Sequence, residues 1–145
     1  MTPTQRALAI LRKGGATAAI VEKWVGFGKN ADGSDREIGG RAGGRRDVWG
    51  FGDILAVRPE HKGALLLQVC GITGINAHVK KMTEDPDTVE DPKLRKLAET
   101  RRTAALAWMQ AGNRIEIWGL DSKRVRRFAV SYKETKEEVV AWETH

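Results

Sequence analysis

The segment that most restricts what this chain can become is residues 53–70. Two apolar runs, Asp53-Ile-Leu-Ala-Val-Arg58 and Ala64-Leu-Leu-Leu-Gln-Val-Cys70, flank Pro59-Glu-His-Lys-Gly63, whose proline and glycine mark a turn. The pattern predicts a buried hairpin. If the two strands close around residues 58 and 63, Asp53 falls opposite Gln68. Opposed residues of an antiparallel pair project from one face with their Cβ atoms ~5 Å apart, so an acid and an amide converge where the hairpin opens. A slip of one residue would send them to opposite faces.

The remainder of the chain supplies cover for that hairpin. Thr2 reads as a helix N-cap, with Pro3 at the first helical position and Gln5 placed to close a capping box. Ala7, Leu8, Ile10 and Leu11 give that helix an apolar stripe, and Gly14-Gly15 ends it. Residues 17–25 are expected to form one strand on which Ile20, Glu22 and Trp24 share a face, although a short helix also fits. Asn76 is a candidate cap for a helix carrying His78, Lys80 and Lys81. A longer helix over 93–111 should bury Leu94, Leu97, Ala98, Ala105, Trp108 and Met109, and strands are expected at 114–119 and 125–132. The order predicts an α/β (α+β) fold: one three-layer-like domain over residues 1–132, with a central mixed β-sheet flanked by helices. Residues 133–145 are expected to be a weakly patterned tail.

Residues 26–52 change to Gly, Asp and Arg, with Gly39-Gly40 and Gly43-Gly44 separating Arg36, Arg41, Arg45 and Arg46. This reads as a mobile basic loop, either substrate-contacting or passive. The chain's 25 Lys and Arg exceed its 19 Asp and Glu, a net charge of +6, which favours a polyanionic partner without proving one. A single cysteine, Cys70, excludes an internal disulfide and a multi-thiolate zinc site, and fits a reducing, cytoplasmic setting. The three histidines are too far apart in sequence for a local metal motif, and no apolar run is long enough for a membrane helix or a secretory leader.

The run Gly52-Asp53-Ile54-Leu55-Ala56, the turn, and Leu65-Leu-Leu-Gln68-Val-Cys70 together resemble the PD-(D/E)xK nuclease superfamily, which includes archaeal-type Holliday junction resolvases. Residues 46–53, 68–71, 79–82 and 111–119 also look like a branch of small phage and prophage relatives of those nucleases. The resemblance implies a restriction-endonuclease-like αβββαβ core and Mg²⁺- or Mn²⁺-dependent hydrolysis of DNA, of branched or junction DNA for the resolvase-like members. It also implies a homodimer, because such relatives cut two strands symmetrically. In its terms Asp53 and Gln68 are metal ligands, assisted by the Val69 carbonyl, with Glu22 supplying a further carboxylate and Asp47 in reserve. Arg36, Arg41, Arg45, Arg46 and Lys80 would meet the DNA backbone. If the protein is phage-encoded, it would act in the host cytoplasm.

The sequence departs from the pattern twice. Gln68 stands where a carboxylate is usual, and Cys70 occupies the lysine position, where a neutral thiol cannot do a cation's work. Lys81, or Lys80, on the following helix is the candidate replacement. The same departures leave open a catalytically lapsed nuclease fold that binds DNA or a protein partner, and a regulatory or structural module that uses the basic loop for protein contact. Each named residue also has a plainer use: Asp53 at a turn, Gln68 as a satisfied core amide, and the cations as a solvated surface.

Overall fold

A computed structural model describes residues 1–21, 23–29, 35–38, 43–46, 48–133 and 138–145; between 22 and 47 it describes backbone only. Among the described residues three helices, α1 (Pro3–Lys13), α2 (Ile75–Thr83) and α3 (Pro92–Gln110), accompany nine strands. These strands are β1 (Thr17–Ile20), β2 (Lys23–Lys29), β3 (Asp35–Ile38), β4 (Gly43–Arg46), β5 (Ile54–Val57), β6 (Leu65–Gly71), β7 (Arg114–Leu120), β8 (Val125–Lys133) and β9 (Glu138–Thr144). A six-stranded mixed sheet runs β1-β5-β6-β7-β8-β9, and a three-stranded sheet runs β3-β2-β4. Only the β6–β7 pair is parallel among the paired strands described. The chain needs α2 and α3 for that connection, because parallel neighbours cannot be joined by a tight turn.

The predicted hairpin forms in the predicted register. Ile54 pairs with Leu67, Leu55 with Leu66 and Ala56 with Leu65, which sets Asp53 opposite Gln68. Side chains of β6 alternate between two cores. Leu65, Leu67 and Val69 join Ala7 and Leu11 of α1 beneath the sheet, whereas Leu66 joins Ile75 and Met82 of α2 and Ala105 and Met109 of α3 above it. The sheet is thus covered by α1 on one side and by α2 and α3 on the other. The α1 start is as expected: the Thr2 side chain accepts Gln5 N–H, and the Gln5 side chain returns to Thr2 N–H at 3.0 Å.

Five expectations need correction. Residues 17–25 do not form one strand: β1 ends at Ile20, opposite Ile54, and β2 belongs to the other sheet. The segment 26–52 is not one structureless loop, since β2 pairs with both β3 and β4. Its ladder needs only backbone donors and acceptors, which a Gly- and Arg-rich composition conceals. The supposed tail beyond 132 contains β9, paired with β8 from Arg127–Thr144 to Lys133–Glu138 and burying Val139. Asn76 lies inside α2, which follows a 3₁₀ turn at Ile72–Gly74 and starts from Gly74 without a side-chain cap. On α3 the buried line is Ala98, Arg101, Ala105 and Met109, whereas Leu94 and Leu97 are exposed.

No helix among the described residues is long and apolar enough to cross a membrane.

Candidate functional site

Asp53 sits at the start of β5 and joins both neighbouring strands through its backbone. Its N–H donates to Leu67 O at 2.9 Å, and its carbonyl accepts Val21 N–H at 2.8 Å. The preceding residue, Gly52, is held against β6 so closely that a Cβ there would lie 2.6 Å from the Leu66 side chain. Side-chain bulk at 52 would therefore push Asp53 away from Gln68.

The Asp53 side chain is 3% exposed and Gln68 6%. Asp53 Oδ2 accepts the Val69 N–H at 2.6 Å and Gln68 Nε2 at 2.9 Å. The same Nε2 stands 3.4 Å from the Val69 carbonyl oxygen. A carboxylate oxygen and a carbonyl oxygen therefore converge on one positively polarised NH₂ group. Turning the amide about its last torsion would withdraw that NH₂ and present Oε1 in its place. These are hard oxygen donors, the chemistry that suits Mg²⁺ or Mn²⁺.

Cys70 projects from β6 on the same face, two residues further on, and its thiol donates to Trp118 O at 3.6 Å. Burial pushes its pKa from 9.0 up to about 11, with the negative charge of Asp53 adding to the rise. It is neutral at physiological pH.

A narrow cleft beside Gln68 is lined by Gly50, Phe51, His78, Lys81, Met82 and Arg101. Its free volume of ≈ 10 Å³ is of the order of one water molecule. The helical spacing of 78, 81 and 82 turns one face of α2 to the cleft. Lys81 therefore lines it, whereas Lys80, equally exposed, does not.

Arg101 is the most unusual residue of the cleft. It is 8% exposed, its Nη1 donates to the Lys81 carbonyl at 3.2 Å, and the same nitrogen lies 3.5 Å from Glu84 Oε1. Its Nε is buried with no hydrogen-bond partner among the described residues. Burial lowers its pKa, and the charge and hydrogen bond of Glu84 oppose that fall. A buried guanidinium with a donor unspent suits an anion held by charge-assisted hydrogen bonds.

The structure thus hydrogen-bonds Asp53 to Gln68 and puts Lys81 on the cleft beside Gln68, leaving Lys80 outside it. Glu22, Arg41 and Asp47 lie outside the described residues, although Val21, next to Glu22, is bonded to Asp53. Arg36 belongs to β3 and Arg45 and Arg46 to β4, and their side chains are also outside the described set. Among the described residues no group of three His, Cys, Asp or Glu gathers around a common point. His78 and Arg101 are the site residues that the sequence expectation lacked. Arg101 carried a signal: it stands between Ala98 and Ala105 on the apolar line of α3, where an unpaired charge is costly. No family model matches the chain, and no similar protein is found among curated proteins or solved structures.

Proposed function

We propose that this protein is a DNA endonuclease of the PD-(D/E)xK kind, dependent on Mg²⁺ or Mn²⁺ and acting as a homodimer on branched or junction DNA. The observation that carries this reading is the convergence of Asp53 Oδ2 and Val69 O on Gln68 Nε2, at 2.9 and 3.4 Å. The order α1, β1, β5, β6, α2 with α3, and β7, with β2, β3 and β4 inserted, supports it, because αβββαβ is the order this reading expects.

In this mechanism Asp53, Gln68 through Oε1, and the Val69 carbonyl would hold the cation, which would supply Lewis-acid polarisation of the phosphate and a more acidic water. Asp53 supplies the negative charge of the site, and Gln68 supplies direction without charge. Lys81 would add an ammonium at the cleft mouth, and Arg101, buried behind it, would lend its positive charge, so both would stabilise charge that grows on a phosphate held outside the cleft. Cys70 moves no proton, because its thiol holds its own up to about pH 11. The arginines of β3 and β4, with Lys80, hold flanking phosphates without reading sequence.

The thiol at position 70 favours a second reading, a nuclease fold that binds DNA without cutting it. Incubation with supercoiled plasmid and a four-way junction in Mg²⁺ or Mn²⁺ separates the two. Nicking that is lost in Asp53→Asn supports the enzyme. Nicking retained by that variant overturns the site, and salt-sensitive binding without cleavage in either metal selects the second reading.

A further inference from the structure

Trp49 adopts a backbone conformation that its residue type rarely takes. Its φ of 53° is the one positive value at a non-glycine residue among those described, and a large side chain in this region crowds the carbonyl that follows it. Hydrogen bonds clamp the turn on both sides: Val48 N–H to Gly52 O at 2.9 Å, Gly52 N–H to Val48 O at 3.0 Å, and Phe51 N–H to Val48 O at 3.1 Å. Phe51 is 2% exposed and anchors the turn to the core. The apex residue Trp49 stays 48% exposed, with its ring centroid 5.9 Å from that of Trp108. The turn alone would be served better by Gly or Asn, and a packing anchor would be covered, so neither accounts for the tryptophan.

The Trp49 ring borders a groove of ≈ 480 Å³ along α3, floored by Ala104 and Ala107 and edged by Thr100, Thr103 and Asn113. That volume lies within the range of small-ligand sites, roughly 300–1,000 Å³. Asn113 spends its amide oxygen on Ala64 N–H at 2.9 Å, which leaves the amide nitrogen as its donor. An aromatic wall, a flat floor of small side chains and a polar rim suit a planar ring that carries acceptors. Gly50 and Phe51 of the same turn line the cleft beside Gln68, so one turn reaches both the groove and the cleft.

We propose that the groove receives an unpaired nucleobase, stacked on Trp49, from the strand whose phosphate lies at the mouth of the cleft. The proposal rests on the nuclease reading and adds a basis for choosing substrate: a base reaches Trp49 only where pairing is already broken, as at a bulge, flap or junction.

The test uses the full chain and three labelled duplexes: fully paired, with one bulged thymidine, and with one bulged abasic site. Binding is read by fluorescence anisotropy in EDTA and cleavage in Mg²⁺. Wild-type protein should bind the bulged thymidine about 5- to 150-fold more tightly than the abasic bulge, the span expected for one stacked base. Trp49→Phe should keep most of that ratio, and Trp49→Ala should bring it near one. Trp49→Gly, which removes the backbone strain together with the ring, should do the same with the fold unimpaired. Equal binding of the two bulges by wild type, or a ratio kept in both Trp49→Ala and Trp49→Gly, overturns the proposal. Cleavage of the paired duplex alongside any of those results leaves the nuclease reading standing. Neither binding nor cleavage of any duplex overturns both.

Discussion

Replacing Asp53 separates chemistry from folding only if the new side chain keeps an acceptor in place. Asp53 Oδ2 satisfies two buried donors, Val69 N–H at 2.6 Å and Gln68 Nε2 at 2.9 Å. Asp53→Ala removes that acceptor from both at once. An orphaned buried donor costs about 1–3 kcal/mol, so the pair costs about 2–6 kcal/mol against a total stability of about 5–15. At ~3 °C of melting temperature per kcal/mol for a chain of this size, the variant should melt about 6–18 °C below wild type. Asp53→Asn keeps an oxygen at the same point, and its two bonds only change from charge-assisted to neutral. That should cost about 1–2 kcal/mol, or about 3–6 °C. The assay pairs calorimetric melting, with and without Mg²⁺, with plasmid nicking. Wild type should gain melting temperature with Mg²⁺ and nick; Asp53→Asn should stay folded and do neither. Inactivity of Asp53→Ala would by itself report only a damaged fold. Equal melting temperatures for the two variants would refute the acceptor argument, and a Mg²⁺-dependent rise retained by Asp53→Asn would refute the cation site.

Gln68→Glu should bring two carboxylates into contact, lowering the melting temperature in EDTA and enlarging the rise on adding Mg²⁺; an unchanged Mg²⁺ response would count against Gln68 as a ligand. Arg101→Leu should weaken DNA binding and reduce the log–log salt slope by about one, with Arg101→Lys keeping the slope; an unaltered slope in Arg101→Leu would remove Arg101 from the phosphate. Cys70 has its folded pKa raised from 9.0 to about 11, so its contribution to stability is complete below pH 9 and is lost as pH rises through 11. Urea midpoints should fall across that window in wild type and fall less in Cys70→Ala; parallel curves would show that the thiol is not held neutral.

What was legible in the sequence was local. The Thr2–Gln5 capping box and the register that opposes Asp53 and Gln68 follow from residues within a few positions of a cap or a turn, where geometry leaves few choices. The inserted sheet was not legible, because Gly43 and Gly44 pair with Gly26 and Val25 without any apolar alternation to announce a strand. In β9 the flanking Glu138 and Glu143 obscured a strand whose inward residue is Val139. Arg101 reaches the site from a helix 33 positions along the chain from Gln68, so only the packing of α3 on the sheet could reveal it.

The two departures from the nuclease pattern acquire a different meaning when they are taken together. A site with two carboxylates and a lysine carries one net negative charge; with Gln68 and a neutral Cys70 around Asp53, it carries the same. Changing the second acid alone would have left the lysine to neutralise Asp53, and changing the lysine alone would have pressed two carboxylates together. The paired change avoids both, and it lets the Gln68 amide donate to Asp53 where a glutamate would repel it. Cationic help for the phosphate then has to come from outside the hairpin. On the proposed reading Lys81 and Arg101 would supply it, with Glu84, 3.5 Å from Arg101, offsetting the charge of the guanidinium.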